Sequence, residues 1–157
     1  SEIDSRLAVL DRSDLKGKAG APNAIVAFGA YQQVFGGERF TALATQGANV
    51  QRPLWASTGT KDPSYPDTLY VAGLVADGIV NTMPEKTMQA FADHGEVLAS
   101  IEGRAAEGQA VLDQLGAAGI DLDDVFETLE AEGVDKFITS WDELVASVKT
   151  AQGHQAS

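Results

Sequence analysis

Apolar residues recur at helical spacing from the first turn of the chain. Ile3, Leu7 and Leu10 predict a short amphipathic helix over residues 2–11, followed by a polar, glycine-containing loop from Arg12 to Gly20. Pro22 suits the first turn of a helix. Ile25, Phe28, Tyr31, Val34 and Phe35 then mark one apolar face, closed by Gly36-Gly37. Phe40, Leu43 and Ala44 predict a further short helix ending at Gly47. Beyond residue 84 the helical period dominates. Val111, Leu112, Leu115 and Ala118 share a face stopped by Gly119. Asp121 and Asp123 are candidate caps for a helix carrying Val125, Phe126 and Leu129, with Gly133 as its stop. Phe137, Trp141, Leu144 and Val148 predict a last helix that frays from Ala151, and Tyr31, Phe35 and Trp141 read as core.

Two segments break this period. Arg52-Pro-Leu-Trp-Ala-Ser57 is short, apolar and bounded by punctuating residues, so Leu54 to Ala56 read as a buried parallel strand. Side chains alternate along a strand, so Trp55 should point away from Leu54 and Ala56. Gly78 to Met83 read as a second strand, with a short helix between the two over Thr68 to Val75. Pro84 opens the next helix at the position proline favours, with Glu85 in its first turn. Helix, strand, helix, strand, helix is α/β grammar. Two strands leave two open edges, whereas a closed barrel of this class needs eight strands and roughly 250 residues. The pattern therefore describes either a small helix-rich α/β domain or part of a larger barrel.

Composition narrows the function classes. Hydrophobic residues make up 44% of the 157, enough for a packed core. The formal net charge of -12 repels nucleic-acid phosphates and anionic lipid, so neither is an expected partner, and any anion site must be a local exception. No apolar run reaches the length of a membrane span, and no cysteine offers a disulfide or a thiolate, which suits a reducing cytoplasm. Ser1-Glu-Ile-Asp4 opens within an apparent helix and lacks a signal-peptide shape, which points to truncation of a longer chain.

Candidate chemistry concentrates after the first strand. Ser57, Thr58, Gly59, Thr60 and Lys61 put three hydroxyls, a glycine backbone and one ammonium within five residues. Hydroxyls and backbone N–H groups hold phosphate oxygens, and lysine adds the point charge; a surface turn with a solvated lysine fits the same residues. The spacing is not that of the nucleotide phosphate loop. Asn81 and Thr82 close the second strand, either facing a substrate or capping the helix at Pro84. Asp121-Leu-Asp-Asp124 does not have the glycine and distal glutamate of a calcium loop in register, and His94 and His154 have no neighbouring Cys or His, so no metal is expected.

Arg52-Pro-Leu-Trp-Ala-Ser-Thr-Gly-Thr-Lys-Asp-Pro63, Tyr65-Pro-Asp-Thr-Leu-Tyr-Val71, Val80-Asn-Thr-Met-Pro-Glu85 and Gly133-Val-Asp-Lys-Phe137 resemble, in order, motifs of actinobacterial-type transaldolases. The opening Ser1-Glu-Ile-Asp4 is similar to the segment after that family's sixth strand. The resemblance implies the C-terminal portion of a TIM (β/α)8 barrel over residues 1–157, about two parallel strands plus many helices. Strand seven lies near 52–56, strand eight near 78–82, and the C-terminal helices span 84–151. It implies transfer of a dihydroxyacetone unit between sugar phosphates of the pentose phosphate pathway, through a lysine Schiff base, in the cytoplasm. The reactive lysine and its Glu and Asp partners match nothing in this chain, so they are expected upstream, in a missing N-terminal half, and the chain alone is expected to be inactive. Ser57 matches the family's strand-seven serine at the substrate phosphate. Lys61 takes the place of an arginine that lies two residues after that serine in many transaldolases, whereas the spacing here is four. Thr58, Thr60, Asn81 and Thr82 are candidate substrate-rim residues, and neither metal nor organic cofactor is implied. The alternatives are a transaldolase-derived binding or interaction domain without catalysis, and another Schiff-base sugar-phosphate aldolase.

Overall fold

The computed structural model describes residues 2–154, so Ser1 and residues 155–157 lie outside it. Helix α1 spans Glu2–Val9, and a single 3-10 turn follows at Ser13–Leu15. Helix α2 spans Gly20–Gly36 and α3 spans Glu38–Ala44. Strand β1 is Leu54–Trp55, α4 is Leu69–Gly73, and β2 is Val80–Asn81. Helices α5 (Glu85–His94), α6 (Ala105–Ala117) and α7 (Leu122–His154) complete the order.

β1 and β2 pair in parallel, Leu54 opposite Val80 and Trp55 opposite Asn81, with α4 in the crossover. The Val80 N–H donates to the Pro53 carbonyl at 2.8 Å, and the Thr82 N–H to the Trp55 carbonyl at 2.9 Å. Trp55 turns inward, and its indole N–H donates to the Leu74 carbonyl at 3.2 Å, while Leu54 and Ala56 face outward. That alternation is what a strand requires. The expected burial of the strand does not hold, since Leu54 is 51% exposed. The sheet has two strands among the described residues, and the outer face of β1 is exposed at Leu54 and Ala56.

Two apolar clusters carry the fold. In one, Leu7, Leu15, Leu112, Leu115, Ile120 and Val125 join α1, the 3-10 turn, α6 and the start of α7. In the other, Ile25, Phe28, Leu74 and Ile101 pack with Trp55, Tyr70 and Ile79. This second cluster backs the two strands and fixes the edge from which the loops after them project. α2 and α6 form the most extensive helix pair. Glycines allow the close approach: a Cβ at Gly108 would stand 2.8 Å from the Pro22 carbonyl, and one at Gly29 would stand 2.5 Å from the Ala105 Cβ.

Several expectations need correction. Pro84 is the residue before α5 and not its first: its φ of -58 would suit a helix, but its ψ of 150 is extended, so the first helical residue is Glu85. Asp121, not Asp123, caps α7, its carboxylate accepting from the Asp124 N–H at 3.1 Å. Gly133 does not stop that helix. Residues 122–154 form one continuous α7, because nothing crowds Gly133 and no left-handed turn occurs there. The expected fraying from Ala151 likewise gives way to helix as far as His154. Trp141 is 65% exposed rather than core, because helical spacing marks an apolar face without supplying the surface that would cover it.

Candidate functional site

The two strands end side by side, and the residues that follow them are knitted together. The Thr58 N–H donates to the Thr82 carbonyl at 3.2 Å, and the Thr58 hydroxyl donates to Asn81 Oδ1 at 2.7 Å. The Ser57 N–H reaches Thr82 Oγ1 at 3.4 Å. Thr58 is 5% exposed, so within this chain its hydroxyl ties the two strand ends together. Asn81 and Thr82 do not cap α5, whose N-terminus has no side-chain cap, so the capping alternative fails. Ser57 has φ +55, one of two non-glycine residues with positive φ among the described residues. A side chain in that region costs of order 1–2 kcal/mol, and such strain collects where a backbone is held for a purpose. The serine side chain is exposed at the strand end.

Past Ser57 the loop turns towards α5. A Cβ at Gly59 would stand 3.0 Å from Pro84 Cγ and 3.0 Å from Thr87 Oγ1, so the absence of a side chain lets the loop backbone lie against the helix start. Thr60 and Lys61 then line a cleft of about 350 Å³ with Asp62, Tyr65, Asp67, Lys86 and Thr87. The candidate residues thus fall into two adjacent groups. Ser57, Thr58, Asn81 and Thr82 meet at the strand ends, and Thr60 and Lys61 sit in the cleft beside them. Lys86 and Thr87 were not singled out from sequence. Their signal was their place in the first turn after the second strand, the same rule that drew attention to Lys61.

The cleft's carboxylates are engaged with other groups. Asp62 accepts from the Ser64 hydroxyl and N–H and from Lys16 Nζ, which together hold its carboxyl down at about 2. Asp67 accepts from the His94 ring at 3.0 Å, which lowers the Asp67 pKa and raises that of His94. Lys61 makes no hydrogen bond or ion pair among the described residues. The side chain of His154 lies outside what the structure describes.

Residues 2–148 match the family described as Transaldolase/Fructose-6-phosphate aldolase. The chain belongs to that family. It is 58% identical over 151 residues to a transaldolase of Saccharopolyspora erythraea, covering 95% of this chain and 41% of that protein. It is 56% identical over 149 residues to a transaldolase of Mycolicibacterium smegmatis, covering 92% of this chain and 40% of that protein. A transaldolase of Renibacterium salmoninarum is 51% identical over 161 residues, covering 100% of this chain and 43% of the relative. The chain therefore spans about two fifths of the length of the curated relatives it matches, and it aligns with their C-terminal part. For a transaldolase-family chain, a mostly helical structure with two adjacent parallel strands agrees with part of a barrel. No helix among the described residues is long and apolar enough to cross a membrane.

Proposed function

We propose that residues 1–157 are the C-terminal part of a single transaldolase barrel, with β1 as strand seven and β2 as strand eight. The complete enzyme moves a dihydroxyacetone unit from a ketose phosphate to an aldose phosphate in the cytoplasmic pentose phosphate pathway. Its lysine, borne on a strand outside these residues, condenses with the donor's carbonyl and releases water. The C–C bond one carbon removed from the iminium carbon then breaks: the hydroxyl on the departing side gives its proton to a carboxylate outside these residues, and the electron pair moves onto the bound three-carbon unit as an enamine while the aldose phosphate leaves. That unit then adds to a second aldehyde, and water releases the product. Ser57 and Lys61 hold the substrate phosphate, Thr60, Asn81 and Thr82 form the rim, and Thr58 keeps the rim in shape. No metal or organic cofactor takes part.

One observation carries this reading: the loops after two adjacent parallel strands bring Ser57, Asn81 and Thr82 to one edge. In α/β barrels that C-terminal edge is where active sites form, and phosphate sites use the loops after strands seven and eight. Borohydride trapping with fructose 6-phosphate tests it. A polypeptide of residues 1–157 should stay unlabelled, and the longer protein should gain one adduct on a lysine outside these residues. A stoichiometric adduct on any lysine of this chain, or no adduct and no dihydroxyacetone exchange in the longer protein, rejects the assignment.

A further inference from the structure

The cleft beside the strand ends holds more polar groups than Ser57 and Lys61 account for. Lys61 enters it from the loop after β1, while Lys86 and Thr87 enter it from the first turn of α5. Thr87 is 7% exposed, yet its hydroxyl makes no hydrogen bond among the described residues. That hydroxyl is not sealed in the interior either, since no fully buried side-chain N or O among the described residues lacks a partner. A polar atom so placed is available to whatever occupies the cleft. The bare backbone of Gly59 passes within reach of it, where a Cβ would lie 3.0 Å from Thr87 Oγ1.

Charge points the same way. The whole chain carries -12, so an anion approaches against its field unless cations converge locally. Asp62 on the cleft wall is paired with Lys16 at 3.1 Å, and Asp67 with His94 at 3.0 Å. Glu85, in the same helical turn as Lys86, accepts from Gln89 at 3.2 Å. Lys61 and Lys86 make no ion pair among the described residues, although the charge of Lys86 is felt at Asp67. Two ammonium groups, one unpaired hydroxyl and the N-terminus of a ten-residue helix therefore share one cleft. Helix N-termini favour anions through their free N–H groups and their dipole.

We propose that Lys86 and Thr87 complete the phosphate cradle that Lys61 begins, so that the phosphoryl group is held between the loop after β1 and the first turn of α5. The anion site stands on the cleft itself; only its assignment to a sugar phosphate rests on the transaldolase reading. A dianionic phosphoryl group uses both ammonium groups and the hydroxyl, so these residues set the preference for phosphorylated over unphosphorylated sugars.

The test is a titration of the full-length protein carrying this chain with inorganic phosphate, followed through backbone amide resonances. The amides of Gly59 to Lys61 and of Lys86 and Thr87 should move together on one saturating curve. Lys86→Met should raise the dissociation constant roughly tenfold, and Thr87→Val roughly three- to tenfold, as hydrogen bonds to a charged group imply. Neither variant should lower Tm, because neither side chain makes a hydrogen bond within the described fold. Shifts confined to the loop after β1, or an unchanged constant in both variants, overturn the cradle. A fall in Tm for Thr87→Val marks its hydroxyl as structural and removes it from the cradle, leaving Lys86→Met to decide. A separate assay of dihydroxyacetone exchange distinguishes the two claims. Phosphate binding without exchange removes the transaldolase reading and keeps the cradle, whereas exchange with an unaltered Lys86→Met constant does the reverse.

Discussion

Ser57 combines an exposed hydroxyl with a left-handed backbone at the end of β1. Lys61, four residues on, supplies an ammonium with no ion-pair partner among the described residues. A charge-assisted hydrogen bond is worth about 1.5–3 kcal/mol. Lys61→Ala in the complete enzyme should therefore weaken phosphorylated acceptors by roughly ten- to a hundredfold in kcat/KM, with much smaller loss for unphosphorylated ones. Equal losses for both classes make Lys61 a solvated loop residue. His94 gives a second prediction at this scale. Its pKa is raised above its ordinary 6.5, first by the hydrogen bond to Asp67 and then by that to Asp93. A raised histidine contributes stability below its unfolded pKa and loses it as pH rises through the folded value. Asp67 is depressed by the same contact, so its share is lost only as pH falls through a value below the usual carboxylate range. The tie between α5 and the loop before α4 thus holds from below the usual carboxylate range up to the raised His94 pKa, and is lost as pH rises through it. An NMR titration of the His94 ring checks it. Asp67→Asn should move the midpoint down, and an unmoved midpoint removes the contact. The hydroxyl cluster from Ser57 to Thr60 was legible in the sequence because hydroxyls, glycine and lysine are crowded there. Thr87 was not, because a lone threonine in a helix gives no sign that its hydroxyl is left without a partner.

Elements defined by long apolar periodicity were readable, and their ends were not always so. Gly119 stops α6 with φ +96, as its position suggested, because a left-handed residue is what a helix end uses. Gly133 carries the same residue type in an equivalent sequence setting, yet α7 runs through it. The difference is that Val134, Phe137 and Trp141 continue the 3-and-4 spacing across Gly133, while Ile120 and Asp121 interrupt it after Gly119. Nothing lies within 4 Å of a Cβ built at Gly133. Gly133→Ala should therefore raise stability by roughly 0.5–1 kcal/mol. Gly108→Ala should do the opposite, since its Cβ would stand 2.8 Å from the backbone carbonyl of Pro22. That carbonyl cannot yield as a flexible side chain can, so a loss of about 1–3 kcal/mol is expected. Urea unfolding of the two variants side by side checks both signs. A stabilising Gly108→Ala shows that α2 and α6 can separate without penalty, and a destabilising Gly133→Ala shows that the glycine is required where α7 meets another surface.

At the scale of the whole molecule, two-residue strands and exposed apolar surface decide how the chain behaves by itself. The pairing and direction of the strands were legible because buried-type apolar runs alternated with helices. Their exposure was not, because an apolar run reports what a residue tolerates and not what lies next to it. Leu54 is exposed on β1, and eight large apolar residues are exposed along α7, from Phe126 to Val148, with Phe137 at 81% and Trp141 at 65%. Fully burying one such side chain is worth about 1.5–3 kcal/mol. Half-exposed, the eight together offer several kcal/mol to any surface that covers them. The opposing force is the -12 charge that each copy carries. At physiological ionic strength the Debye length is about 8 Å, so repulsion between copies is largely screened while apolar burial is not. Association should therefore prevail for a polypeptide of residues 1–157 alone. Light scattering after gel filtration should give a mass above the 16.5 kDa of one chain, rising with added salt. On the proposed barrel assignment the outer faces of β1 and α7 meet the rest of the protein, so in the longer protein Trp141 fluorescence should be shielded from acrylamide, and in the isolated polypeptide it should shift with concentration. A monodisperse 16.5 kDa species with a sharp cooperative melt would count against part of a barrel and favour a domain that stands by itself.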